Sequence, residues 1–107
     1  MSWTVVFFDA AAQAELDGLP LDLRAKFERI VGLIKAKGLE QVHEPYVKHL
    51  EGKLWEMRMS GRDGIARSIY ATATGKRIVI LHTFIKKSDK TPRTALAIAR
   101  ARAKEVE

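Results

Sequence analysis

The sequence predicts an α+β fold in the order βααβββα: a twisted antiparallel sheet with a helical hairpin on one face and a closing helix near an edge. Three observations carry this. Residues 54–87 contain three strand-like runs separated by glycine turns, residues 10–38 hold two helical patterns bounded by cap signals, and Thr91-Pro92 opens an alanine-rich basic helix.

Taken in order, residues 2–8 are short, β-branched and aromatic, which favours a first strand. Asp9 is an N-cap for a helix over 10–16, and Gly18 is placed to end it. Pro20 suits the first turn of a second helix, in which Leu23, Phe27, Ile30, Val31 and Ile34 recur on one face while Arg24, Lys26, Glu28, Arg29 and Lys35 fall outside it. Gly38 stops this helix. Between 39 and 53 the periodicity fails and Glu44-Pro45 forbids a continuous helix, so no element is expected there.

The three later strands are expected at 54–59, 65–71 and 77–85, with turns at Gly61 to Gly64 and Thr74-Gly75. Side chains alternate across a pleat, so a register can be argued. A four-residue first turn sets Ser60 opposite Ile65 and places Trp55, Met57 and Met59 opposite Tyr70, Ser68 and Ala66 on an apolar face. With Phe27, Ile30 and Ile34, the residues Trp55, Met57 and Tyr70 should be buried. The other face then sets Arg58 across from Arg67, and a two-residue Thr74-Gly75 turn sets Arg67 across from His82. Like charges paired across strands are unfavourable by a few tenths to ~1 kcal/mol, so an anionic ligand would explain this basic stripe. Glu56 on the same face, neutralising one arginine, is the alternative. In the closing helix, which runs to about Lys104, Ala95, Leu96, Ala99 and Ala103 form a narrow apolar stripe and leave Arg93, Arg100, Arg102 and Lys104 exposed.

With 107 residues and 47% hydrophobic content, the chain is expected to form a single domain over 1–107 with one core. It has no cysteine, which removes disulfide and thiolate chemistry. His43 and His49 are too few for a metal centre, and no cofactor motif is present. The absence of a long apolar run or a charged leader makes a cytoplasmic protein without membrane contact the expectation. Net charge is +6, but residues 1–51 hold six Lys/Arg against eight Asp/Glu, whereas residues 52–107 hold thirteen against five. Such an asymmetric positive half suits a polyanion or an acidic protein partner.

If the polyanion has a phosphodiester backbone, cleaving it without metal needs groups to take and give protons and cations to hold the phosphorus oxygens. Arg58 and Arg67 suit the clamp, being bidentate donors. His82 suits either proton transfer, though a packed strand histidine is an equal alternative. Lys86 shares the parity of His82, and Lys87 points the other way unless the strand has ended. Lys48, Arg93, Arg100 and Arg102 are candidate contacts to the phosphates of a polyanion, against the plainer reading of a solvated surface.

The element order, with Leu54-Trp55-Glu56-Met57-Arg58, Arg67-Ser68-Ile69-Tyr70, Leu81-His82-Thr83-Phe84-Ile85-Lys86-Lys87 and Thr91-Pro92 followed by Ala99, resembles the RelE/ParE superfamily of toxins from type II toxin–antitoxin pairs, and within it the HigB-like, phage-related branch. The resemblance covers nearly the whole length. It implies a RelE-like fold and a metal-independent endoribonuclease that cuts messenger RNA on the ribosome and is held inactive by a cognate antitoxin, a helix-turn-helix protein in the expected arrangement. It also implies basic site positions at Arg58, Arg67 and Lys86 or Lys87. Ser68 departs from the usual apolar strand residue, and the tyrosine that some relatives carry near the final helix is missing. A ParE-like gyrase poison and a non-catalytic nucleic-acid binder are the alternatives on the same fold.

Overall fold

A computed structural model of the chain describes residues 2–62, 64–87 and 90–106. Asp63 of the expected first turn and Ser88-Asp89 of the basic link lie outside the described residues. Strand β1 (Thr4–Phe7) leads through helices α1 (Ala10–Asp17) and α2 (Leu21–Lys37) to a 3₁₀ turn at Leu39–Gln41. Strands β2 (Val47–Glu51), β3 (Leu54–Gly61), β4 (Gly64–Ala73) and β5 (Arg77–Lys86) then precede helix α3 (Arg93–Ala103). All five strands form one sheet in the order β1-β5-β4-β3-β2.

The α+β class, the helical hairpin and the closing helix are as expected, and three features differ. A strand, β2, occupies the stretch where no element was expected. It pairs on one side only, with β3, and Val-Lys-His-Leu-Glu buries little besides Val47, so its alternation is weak. The sheet is mixed, because β1 runs parallel to β5 from Thr4↔Arg77 to Phe7↔Ile80; local patterning carries no information on strand direction. Helix α3 covers the second face of the sheet and does not sit at its edge.

Local chemistry explains the helices. The Asp9 side chain accepts a hydrogen bond from the Ala12 N–H at 2.8 Å, capping α1. The five apolar residues of α2 noted above are all buried, and with Leu16, Leu19, Met57, Met59, Ala66, Tyr70, Ile78 and Ile80 they build the core between the hairpin and one sheet face. On the other face Ala95, Ala99 and Ala103 meet Leu54, Ile69, Ala71, Val79 and Leu81. Small side chains let α3 approach the strands closely there. Buried Ser68, the odd residue of β4, is satisfied by Thr83 across the strand pair, with Oγ and Oγ1 2.8 Å apart.

The register of β3 on β4 is the expected one, including Trp55↔Tyr70, Arg58↔Arg67 and Ser60↔Ile65. That of β4 on β5 is not: Arg67 faces Phe84, and His82 faces Ile69. Two local events add one residue each. The turn is Thr74-Gly75-Lys76, closed by Ala73↔Arg77, with Gly75 and Lys76 at φ 78 and 54, and an irregularity beside Ile69 and Tyr70 leaves Leu81 without its own partner. Trp55 also departs from expectation, at 38% exposed. Helix α2 ends at Lys37, before it can cover this end of the sheet, and the uncovered space is a groove of about 670 Å³ lined by Leu39, Val42, Val47, Trp55, Tyr70 and Thr72, among others.

Candidate functional site

Two arginines facing each other across β3 and β4 form the centre of the site. Arg67 is 6% exposed and Arg58 half-buried, so both guanidiniums are held with little water around them. Glu56, 2% exposed, lies one pleat away on the same face, with its Oε2 3.3 Å from Arg67 Nε. That contact is electrostatic and poorly aligned: Arg67 Nε, Arg58 Nε and Glu56 Oε2 are buried and have no hydrogen-bond partner. Arg67 Nη1 donates to the Ala66 carbonyl at 2.9 Å. Burial lowers the Arg67 pKa, Glu56 works the other way, and Arg58 adds to the lowering. Among the described residues the buried Glu56 carboxylate thus pairs with Arg67 and not with Arg58, and a guanidinium stays protonated throughout the ordinary pH range.

These arginines open on a cavity of about 420 Å³ at the corner of the sheet where β2 begins. Its walls come from both sides of that corner: Arg58, Ser60, Ile65 and Arg67 from the strands, Lys26, Arg29 and Ile30 from α2, and Pro45 and Tyr46 from the loop before β2. Four of the lining residues are cationic and none is a carboxylate. The Arg58 N–H donates to the Tyr46 carbonyl at 2.8 Å, fixing that loop against β3. The arrangement can hold an oxyanion of more than one charge, with space for a group larger than phosphate.

Sequence reasoning placed Arg58 and Arg67 together, and the structure does too. It missed Lys26, Arg29 and Tyr46. Lys26 and Arg29 were legible as neighbouring cations on the outer face of α2, where they read as a solvated surface. Tyr46 lay in the stretch without periodicity, and its only signal was its place between Pro45 and the short alternation of β2.

The structure does not bring His82 to this cavity. Its Nδ1 lies 2.9 Å from Glu15 Oε1 on α1, and its ring stacks on Phe84 with centroids 5.5 Å apart. The same carboxylate oxygen accepts from the Thr83 N–H and from Arg102 Nη1, each at 3.2 Å, and Arg102 Nη1 also donates to the Leu81 carbonyl at 2.6 Å. Burial opposes the charge on Glu15, but hydrogen bonds from Arg102, His82 and Thr83 outweigh it and hold the carboxyl below its ordinary pKa. Arg102 is therefore half-buried and tethered, where an exposed residue was expected. Arg100 is exposed but forms a two-pronged pair with Glu51, at 2.8 and 2.6 Å.

Lys86 ends β5 opposite Ile65 and Lys87 follows it, exposed, so both lie one strand from the cavity. Lys48 is an exposed residue of β2 and Arg93 opens α3, both away from the cationic walls. Tyr70 sits in the core, where burial pushes its phenol far above the ordinary range and keeps it protonated. Among the described residues no group of three or more His, Cys, Asp or Glu could hold a metal ion, and no helix is long and apolar enough to cross a membrane.

A family model described as "Phage derived protein Gp49-like (DUF891)" matches residues 14–104. Among solved structures, the chain is similar to the archaeal RelE–RelB complex from Pyrococcus horikoshii OT3. The two are 25% identical, with a TM-score of 0.56, over 79% of this chain and 96% of that one. The fold is RelE-like. No curated protein matches the chain.

Proposed function

The chain belongs to the phage-derived Gp49-like family, and from that membership and the RelE-like fold we propose that it is the toxin of a toxin–antitoxin pair and an endoribonuclease acting on messenger RNA at the ribosome. One observation carries the catalytic part. Two facing arginines, one of them buried beside a buried carboxylate, open on a cavity with no acidic lining residue.

Attack of a ribose 2′-oxygen on the adjacent phosphate concentrates negative charge on the non-bridging oxygens. Guanidiniums already held in place stabilise that charge without reorganising, and a site poor in water strengthens the effect. Arg58 and Arg67, which line the cavity, have this role. Lys86 and Lys87 extend the positive field to the neighbouring strand, where an RNA backbone leaving the cavity would pass. The partner that silences the protein is an antitoxin with an acidic contact surface, since covering the cationic cavity denies it phosphate; the solved relative is a RelE–RelB complex.

The experiment is incubation of the purified protein with translating ribosomes, with cut sites mapped by primer extension. Wild type should cut mRNA, and Arg58→Ala and Arg67→Ala should each lose about 10²-fold or more in rate. Growth arrest without ribosomal cleavage, accompanied by gyrase-dependent DNA breaks, would establish the ParE-like alternative instead.

A further inference from the structure

We infer that the cavity is a nucleotide subsite with two phosphate positions, one on Arg58 and Arg67 and the next on Lys26 and Arg29 of α2, with the intervening base against the Tyr46 ring. This deepens the nuclease reading and rests on it for the identity of the strand.

Volume is the first argument. A cavity of about 420 Å³ falls within the ~300–1,000 Å³ of small-molecule sites, more than a phosphate between two arginines requires. The second is the distribution of charge. The cations form two pairs on different elements: a cross-strand pair on β3 and β4, and a pair one helical turn apart on α2. Lys26 and Arg29 are exposed and have no salt-bridge partner among the described residues. The third is the ring. Tyr46 is half-buried, lines the same cavity as both pairs, and is anchored beside β3 by the Arg58 N–H, which donates to its carbonyl. An aromatic face flanked by phosphate-binding cations is the recurring arrangement for single-stranded nucleic acid, because every base has a π-face that such a ring accepts. Stacking of this kind tolerates any base, so it sets the position of the strand and leaves sequence choice to the ribosome.

The test uses three probes on the whole protein, with affinities read by calorimetry at low salt. They are inorganic phosphate, adenosine 5′-monophosphate and adenosine 3′,5′-bisphosphate. Affinity should rise in that order. Tyr46→Leu should abolish the gain of the monophosphate over phosphate, a loss of about 5- to 100-fold, and Tyr46→Phe should keep it. The double variant Lys26→Ala/Arg29→Ala should reduce the bisphosphate to the affinity of the monophosphate and leave inorganic phosphate unchanged. Should Tyr46→Leu fail to fold, the Tyr46 ring protons of wild type must still shift upfield on adding the monophosphate. Equal affinity for the three probes, an unshifted Tyr46 ring, or equal weakening of all three in the helix variant would overturn the subsite. Ribosome assays separate the two readings. A wild type that shows the affinity ladder but cuts nothing overturns the nuclease and keeps the subsite. A helix variant that cuts with wild-type KM overturns the subsite and keeps the nuclease.

Discussion

Arg58 and Arg67 look equivalent as a cross-strand pair, yet their removal should have opposite effects on folding. Taken alone, the like-charge pairing suggests that losing either relieves repulsion worth a few tenths of a kcal/mol. That holds for Arg58. For Arg67 the neighbouring Glu56 reverses the sign, because a carboxylate 2% exposed would lose the cation 3.3 Å away. Breaking a buried pair from one side costs about 3 kcal/mol or more, so Arg67→Ala should unfold at clearly lower denaturant than Arg58→Ala, a comparison of two urea melts. Arg67→Lys is the sharper probe of chemistry. It keeps the charge near Glu56 but loses the two-pronged geometry, so cleavage should fall well below wild type while stability largely survives. Glu56→Gln leaves buried Arg67 without its counter-ion. Its melting temperature should drop in chloride and recover more than that of wild type when phosphate replaces chloride; equal recovery in both proteins would separate Glu56 from the anion site.

The closing helix was expected to offer a row of exposed cations, and the structure divides that row by role. Arg102 holds α3 to the Leu81 carbonyl and to Glu15, joining the final helix, α1 and the part of β5 beyond β1 at one carboxylate oxygen. Arg102→Ala should therefore loosen α3, seen as faster amide exchange across Ala95, Ala99 and Ala103, and any loss of ribosome binding in that variant would follow from it. The same carboxylate makes stability depend on pH. The folded pKa of Glu15 lies below that of an ordinary glutamate, so its contribution is complete above the unfolded pKa and is lost as pH falls through the lowered folded one. Glu15→Gln should consequently be less stable than wild type at neutral pH and show a shallower decline in acid. An unchanged acid limb would mean that the contact contributes nothing to folding.

Charge is distributed over the whole molecule in a way that suits a large polyanion. Thirteen of nineteen Lys/Arg lie after residue 51, and the fold adds Lys26 and Arg29 from the acidic half to the cationic wall. Association with ribosomes should thus fall steeply with salt, by about 10³-fold between 50 and 200 mM if six phosphates are contacted. The helix variant Lys26→Ala/Arg29→Ala should show a shallower slope in a filter-binding titration. A slope near zero for wild type would point to a partner recognised by shape and apolar contact.

What the sequence by itself determined follows from local rules. Cap residues and apolar spacing delimited α1, α2 and α3, and the pleat together with a four-residue turn set Arg58 against Arg67. Tertiary structure decided what those rules do not encode. The direction of β1, the edge strand β2 and the place of α3 on the second face depend on which surfaces remain to be covered after the hairpin has packed. His82 was separated from Arg67 by one added turn residue and one irregularity in the ladder, each a local event that displaces everything beyond it. Lys26, Arg29 and Tyr46 line the cavity because a helix and a loop distant in sequence converge where β2 begins. Side chains on outward faces carry no periodic signal for such a meeting, and only packing brings them to one cavity.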